Sequence, residues 1–343
     1  MNNTKDWSTL VVGNPLRDDF VFNVEKKLLE EWGVKQDDTI QIDNKKFQEL
    51  WKNVKSFREN DLWRCGGSGS NFLLPLVKID PEQKHGVCGR VGSDQIGEEI
   101  EQYYKLIGTH SIHLIKTPEE STGRVVSFIE KNGERSMVAQ LGAIESSTSN
   151  DLIEESFKNF KHCNISGFSC TTLGMVPRCI EIAKKYGISV SINLPTKALV
   201  KGYRDVFQQA VSDVNYLFGN VDEVKALWKS KSLEEAFKKY PFEQTVIATD
   251  GADGCWVKSA GQTKAIHYKA LKLEGEKNNK TGVGDIWAGM YLVFALNKKS
   301  IKKCVKAANL IAVKWSQLKL GETIDEKIWN VLRQKLNKNS HLN

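Results

Sequence analysis

The stretch NNKTGVGDIWAG, residues 278–289, sets Gly282-Val283-Gly284-Asp285 directly ahead of an apolar run from Ile286 to Leu296. Glycines let the backbone turn tightly and aim successive N–H groups at a ligand. The helix that such a run predicts adds the positive end of its dipole. A cradle of this kind suits a phosphate whose negative charge grows during transfer. Asp285, at the helix start, is placed to accept a proton from an attacking hydroxyl, and the dipole predicts a low pKa for it. The same residues also describe a glycine-rich loop closed by an ordinary N-cap aspartate. Neither GxxxxGK[ST] nor GxGxxG occurs, so the nucleotide folds tied to those motifs lose support.

Other residue sets offer related chemistry. LFGNVDEV places Asn220 and Glu223 where a strand ends and a helix begins, an amide and a carboxylate able to hold Mg²⁺ through its waters. The alternative is a capping-box-like pair. CGGSGSN supplies Gly66 and Gly67 for close approach to a ligand and Asn71 to bond a hydroxyl. GNPLRD carries Asn14 and ends in Asp18, a carboxylate able to accept two hydrogen bonds from a vicinal diol. GERS puts Arg135 after a turn, where it can neutralise phosphate. The seven cysteines form no CxxC pair and read as reduced, mostly buried side chains. His110 and His113 point to opposite faces of a strand and make a poor metal site.

These residues need a scaffold, and the chain's pattern describes one. Buried-strand runs at Leu10–Val12, HCNISGF, ISVSINL, VNYLFGN and QTVIATDG alternate with helical stretches over 174–186, near 203–211 and over 221–229. That rhythm predicts an α/β fold: a doubly wound, mainly parallel sheet flanked by helices, with ligands at the strand C-termini. Two segments, about 14–45 and 109–141, read as hairpins and fit better as a small β lid over the sheet's edge. The second contains Asn132-Gly133, a strong turn pair. Residues 8–335 then form one domain including that lid, and 336–343 a basic tail. With 40% hydrophobic and 27% charged residues, the composition is that of a globular protein. No apolar stretch is long enough to span a bilayer and residues 1–7 hold no targeting signal, so a cytoplasmic, membrane-free protein is expected. The net charge of +7 comes without aromatic–basic alternation, which favours a solvated surface with some phosphate attraction over nucleic-acid binding.

Seven motifs follow in order: G-N-P-L-x-D, G-G-x-x-x-N, G-x-x-G-S-D-x-x-G (Gly89 to Gly97), N-G-E-R-S, F-G-N-x-x-E, T-x-G (Thr249 to Gly251) and T-G-x-G-D. Together they resemble the ribokinase-like (pfkB) family of carbohydrate and nucleoside kinases over residues 9–330. GNPLRD, VVSFIEKNGERSMVAQLGA and SINLP look most like its adenosine kinase branch. The resemblance implies a β lid that often mediates dimerisation, ATP with Mg²⁺ as phosphoryl donor, and a nucleoside or sugar as acceptor. By that resemblance Asp285 is the catalytic base, Gly282, Val283 and Gly284 the anion hole, and Arg135 the lid arginine. Asp18, Asn14, Gly67 and Asn71 hold the acceptor, while Asn193, Asn220, Thr249, Gly251 and Asn309 belong to the nucleotide side. Asn220 and Glu223 are the magnesium-associated pair.

Several positions depart from the pattern. The family's D-T-x-G-A-G-D begins here with Asn279 and Lys280. The leading aspartate there helps to bind a monovalent cation, so either the Lys280 ammonium replaces that ion or the lysine faces solvent. Ser169 stands where the adenosine branch has an aromatic residue, which removes a stacking platform for a purine. Arg17 replaces an apolar residue and reads either as a contact to a polar or anionic acceptor or as a surface arginine. A kinase with a free sugar as acceptor, and a weakly active relative that only binds its ligand, remain alternatives.

Overall fold

The computed structural model describes residues 7–24, 26–35, 39–54, 62–130, 135–241, 243–272, 274–275, 279, 281–319 and 322–337. Among them the larger sheet runs Ile266–Tyr268, Cys255–Lys258, Thr245–Thr249, Tyr216–Asn220, Ser189–Asn193, His162–Ser166, Thr9–Val12, Gly86–Gly92, Ser111–Thr117. From Thr245–Thr249 onward all neighbours are parallel, and the first two strands form an antiparallel edge. Both faces are covered, which is why the strands read as continuous apolar runs. One face packs Val11, Val87 and Phe218 against the helices Ser68–Ile79, Val283–Leu296 and Ile301–Gln317. The other packs Leu10, Ile165, Ile192 and Leu217 against Met175–Lys185, Arg204–Val211 and Val221–Leu227.

The lid is a second sheet ordered Thr39–Gln41, Arg135–Gln140, Arg124–Glu130, Leu16–Val24, Trp63–Gly66. Its hairpin pairs Arg124 with Gln140 and Ile129 with Arg135, as the Asn132-Gly133 turn predicts, although residues 131–134 lie outside those described. Its own core joins Val21, Phe47, Leu50, Val126, Phe128 and Val138, so the helix Asn44–Asn53 covers one face. Three boundaries differ from the sequence reading. Ser111–Thr117 pairs with Gly86–Gly92 at the edge of the larger sheet, so the lid's later segment starts at Arg124 rather than 109. Trp63–Gly66 is a lid strand paired with Leu16–Asp19, where only a glycine–serine turn was expected. The helix Glu326–Asn337 runs past the expected start of the tail, because Leu336 is buried in the core.

The helix Val283–Leu296 is apolar on every side because it is buried on every side, between the sheet and two neighbouring helices. Its approach to Ser68–Ile79 is close: a Cβ added at Gly289 would stand 2.2 Å from the Phe72 carbonyl oxygen. The first turns of these two helices hold Ser68, Asn71 and Asp285.

Candidate active site

Gly282 caps the helix Val283–Leu296 in the left-handed region, at φ 72°, which favours glycine. A Cβ there would also stand 2.5 Å from Asn71 Nδ2. Asp285 sits half-buried in the first turn, where its Oδ1 accepts from Ser68 Oγ at 2.6 Å and from Asn193 Nδ2 at 3.4 Å. Burial pushes its carboxyl up to about 6, against hydrogen bonds from Ser68, Asn193 and Asn71 that pull it down. The low pKa expected for it is therefore overturned, because desolvation of the charged form outweighs the hydrogen bonds that favour that form. Gly284 has open space where a side chain would begin, which leaves the helix end free to receive a ligand.

The residues expected to hold the acceptor meet one turn away. The strand Trp63–Gly66 leads into the helix Ser68–Ile79 through Gly67, at φ 90°, and a Cβ on Gly67 would stand 2.3 Å from the Asn14 carbonyl oxygen. A Cβ on Gly66 would lie 2.5 Å from the Asp18 carboxyl. Asp18, Asn14, Gly67 and Asn71 thus share one corner, with Ser68 joining it to Asp285. Arg64, on the same lid strand, lies 3.6 Å from Asp18 Oδ2 and directs its Nη2 to the Thr281 carbonyl oxygen at 3.5 Å. Arg17 is neither a surface residue nor a neighbour of Asp18's site. It turns to the opposite face, bonding Asp19 at 2.9 Å and Glu99 at 2.8 Å.

A cavity of about 850 Å³ is lined by Thr249, Gly251, Val283, Gly284, Trp287 and Asn309, among others, several of them residues expected to hold a nucleotide. Asn309 takes the Trp287 indole N–H on its Oδ1 at 2.8 Å and donates to the Lys269 carbonyl at 3.1 Å. Asn220 and Glu223 form a full capping box: each accepts from the other's backbone N–H, at 2.9 and 2.8 Å, and Asn220 Nδ2 donates to Glu223 Oε1 at 2.8 Å. The capping alternative is thereby realised, and these two side chains fit a Mg²⁺ ion held through water better than one ligated directly. Glu223 is pushed up to about 7 by burial and further by the charges of Asp285 and Asp222, so a cation beside the pair would relieve its desolvated charge. Among the described residues no cluster of three or more His, Cys, Asp or Glu could hold a metal.

The position of the family's leading aspartate offers a monovalent ion no carboxylate. Asn279 is uncharged and buried, and its Oδ1 takes the Thr281 N–H at 3.2 Å. The Thr281 carbonyl takes the Trp315 indole N–H at 2.8 Å. Lys280 lies outside the described residues, as does the side chain of Arg135. Ser169 is buried, while its neighbour Phe168 is exposed. Sequence reasoning missed Ser68, Arg64, Trp287 and Trp315. Of these only Ser68 had a local signal, a serine between Gly67 and Gly69 where a turn would use any small residue.

Residues 37–319 match the family described as pfkB family carbohydrate kinase. The chain belongs to that family. Across 88% of its length it is 23% identical to adenosine kinase 1 of Arabidopsis thaliana, covering 92% of that protein. The fold superimposes on adenosine kinase from Sinorhizobium meliloti with a TM-score of 0.82 at 21% identity, covering 96% of this chain and 99% of that one. It superimposes on a probable sugar kinase from Rhizobium etli CFN 42 at 0.83 and 21% identity, covering 97% and 100%. As a pfkB kinase it is a phosphotransferase with ATP expected as donor. No helix among its described residues is long and apolar enough to cross a membrane.

Proposed function

We propose that this kinase transfers the γ-phosphoryl group of ATP to a hydroxyl of a ribose-bearing nucleoside or a sugar, with Asp285 as base and residues 282–284 as anion hole. The observation that carries this reading is the position of one helix end. Its Val283 and Gly284 line the nucleotide cavity, while Asp285 is bonded by Ser68, which follows Gly66 and Gly67 of the acceptor corner. An acceptor hydroxyl held near Asp18 and Asn71 would meet both the base and the phosphate cradle. Its oxygen forms the new bond to the γ-phosphorus, the bond to the β–γ bridging oxygen breaks and leaves with ADP, and the hydroxyl proton passes to the Asp285 carboxylate. Mg²⁺, when bound, would neutralise phosphate charge, and Asn220 and Glu223 would hold it through its waters. The relatives named adenosine kinase and sugar kinase support an acceptor of this class.

ADP release over a panel of nucleosides, ribose and fructose, with and without Mg²⁺, tests the reading. Turnover is expected only with Mg²⁺ and faster for ribose-bearing acceptors than for free hexoses. Adenosine is not expected to lead, because the branch's aromatic position is the buried Ser169. Fast turnover of fructose with none for any nucleoside would overturn the branch assignment. Binding of a nucleoside with no ADP formed would favour the weakly active alternative.

A further inference from the structure

A line of polar side chains, buried except at Ser189, crosses the sheet beneath Asp285, on a face otherwise packed with Val11, Phe72 and Phe218. It alternates between two neighbouring strands: His162 and Asn164 on one, Ser189, Ser191 and Asn193 on the other, with His162 opposite Ser189 and Asn164 opposite Ser191. Asn164 Nδ2 donates to Asn193 Oδ1 at 3.1 Å and to Ser191 Oγ at 2.8 Å. His162 bonds Ser191 Oγ through Nε2 at 2.8 Å and Ser189 Oγ through Nδ1 at 2.6 Å, and Ser189 Oγ donates to the Lys161 carbonyl at 3.2 Å.

The direction of every bond follows from the end at Asp285. An ionised carboxylate only accepts, so Asn193 must face it with Nδ2 and turn Oδ1 towards Asn164. Asn164 must then give its amide nitrogen to both Asn193 and Ser191. Ser191 passes its own proton to His162 Nε2, so the imidazole is neutral with its proton on Nδ1, and that proton goes to Ser189. This assignment uses both amide protons of Asn164, the hydroxyl protons of Ser191 and Ser189 and the ring proton of His162. Burial supports it by pushing His162 down to about 3, far from the charged form. The arrangement leaves Asn164 Oδ1 buried with no partner among the described residues. An apolar residue would avoid that desolvation cost, so the line is poorly explained as a device for stability alone.

We infer that Asn164, held by Ser191 and His162, is a positioning residue that locks the Asn193 amide with its N–H towards Asp285 and the transferred phosphate. With Asn164 unable to donate, the amide can turn over and present its oxygen to a carboxylate and a phosphate, both negative. The inference rests on the reading of Asp285 as base.

A double-mutant cycle tests it. Asn164→Leu is expected to lower kcat about tenfold, the scale of one oriented hydrogen bond, while acceptor KM stays within about twofold. In an Asn193→Ala background, with no amide to orient, the same substitution is expected to change kcat by less than about twofold. An equal loss of kcat in both backgrounds, or none in the parent, overturns the inference. Should Asn164→Leu not fold, Ser191→Ala, which removes the acceptor that holds Asn164, carries the same cycle with the same opposing outcomes. Asp285→Asn measured alongside separates the two claims. If it keeps parental turnover the reading of Asp285 fails, whereas an inactive Asp285→Asn with an additive cycle rejects only the role of Asn164.

Discussion

Asp285 sits where two opposing effects act on one carboxyl. Hydrogen bonds from Ser68, Asn193 and Asn71 favour its charge, burial opposes it, and burial prevails. A base at about 6 is a better proton acceptor near neutral pH than one in the ordinary carboxylate range. It must be ionised to act, so kcat/KM should fall as pH drops through about 6. Glu223, at about 7, titrates just above it, so in Glu223→Gln the remaining acid limb should be that of Asp285. A profile in that variant flat down to about pH 4, the ordinary carboxylate range, would show that burial does not raise the Asp285 carboxyl. A second prediction at this scale concerns monovalent cations. The oxygens of Asn279 and Thr281 are already taken by protein donors, and Arg64 directs its guanidinium at the same loop. Activity should therefore be the same in potassium, sodium and tetramethylammonium salts, and strong activation by potassium would show that the ion still finds a site.

The elements that hold these residues were unevenly legible in the sequence. Apolar runs ending in Val12, Asn193 and Asn220 announced parallel strands because burial on both faces needs continuous hydrophobicity. Trp63–Gly66 escaped notice because Arg64, Cys65 and Gly66 show neither alternation nor an apolar run, and its pairing with Leu16–Asp19 is a long-range event. The pKa of Asp285 was misjudged for a related reason: a helix dipole follows from local sequence, whereas burial follows from which helices pack together. Gly289 shows what that packing demands. Asn71, Ser68 and Asp285 meet only because the two helices approach at Gly289 and the Phe72 carbonyl. Gly289→Ala must push them apart, which should lower stability by about 1–3 kcal/mol and kcat with it. A variant with parental melting temperature and turnover would show that this approach does not set the site.

Among the described residues most buried apolar side chains fall into three clusters, two flanking the larger sheet and one inside the lid. The lid is tied to the body by Cys65, which joins a core cluster of the larger sheet, and by polar links such as Arg17 to Glu99 and Arg64 to the Thr281 carbonyl. A lid with a core of its own favours separate opening. Native-state hydrogen exchange should show amides of Leu16–Val24 and Arg124–Glu130 opening as a group at lower free energy than those of Leu10–Val12 and Cys163–Ile165. Identical protection in both sets would make lid and body one cooperative unit. The parallel sheet and the lid's hairpin could be read from periodicity and turn residues, but the lid's covering helices and its edge could not, since they depend on pairings far apart in sequence.

The central claim is that Asp285 accepts the proton of the attacked hydroxyl during phosphoryl transfer, and single-turnover measurement of Asp285→Asn with ATP, Mg²⁺ and the best acceptor from the panel tests it most directly. Nucleotide and acceptor binding should stay close to the parent's while phosphoryl transfer slows by about 10²-fold or more, the scale of a positioned base. Transfer within a few-fold of the parent, with binding intact, would contradict the claim.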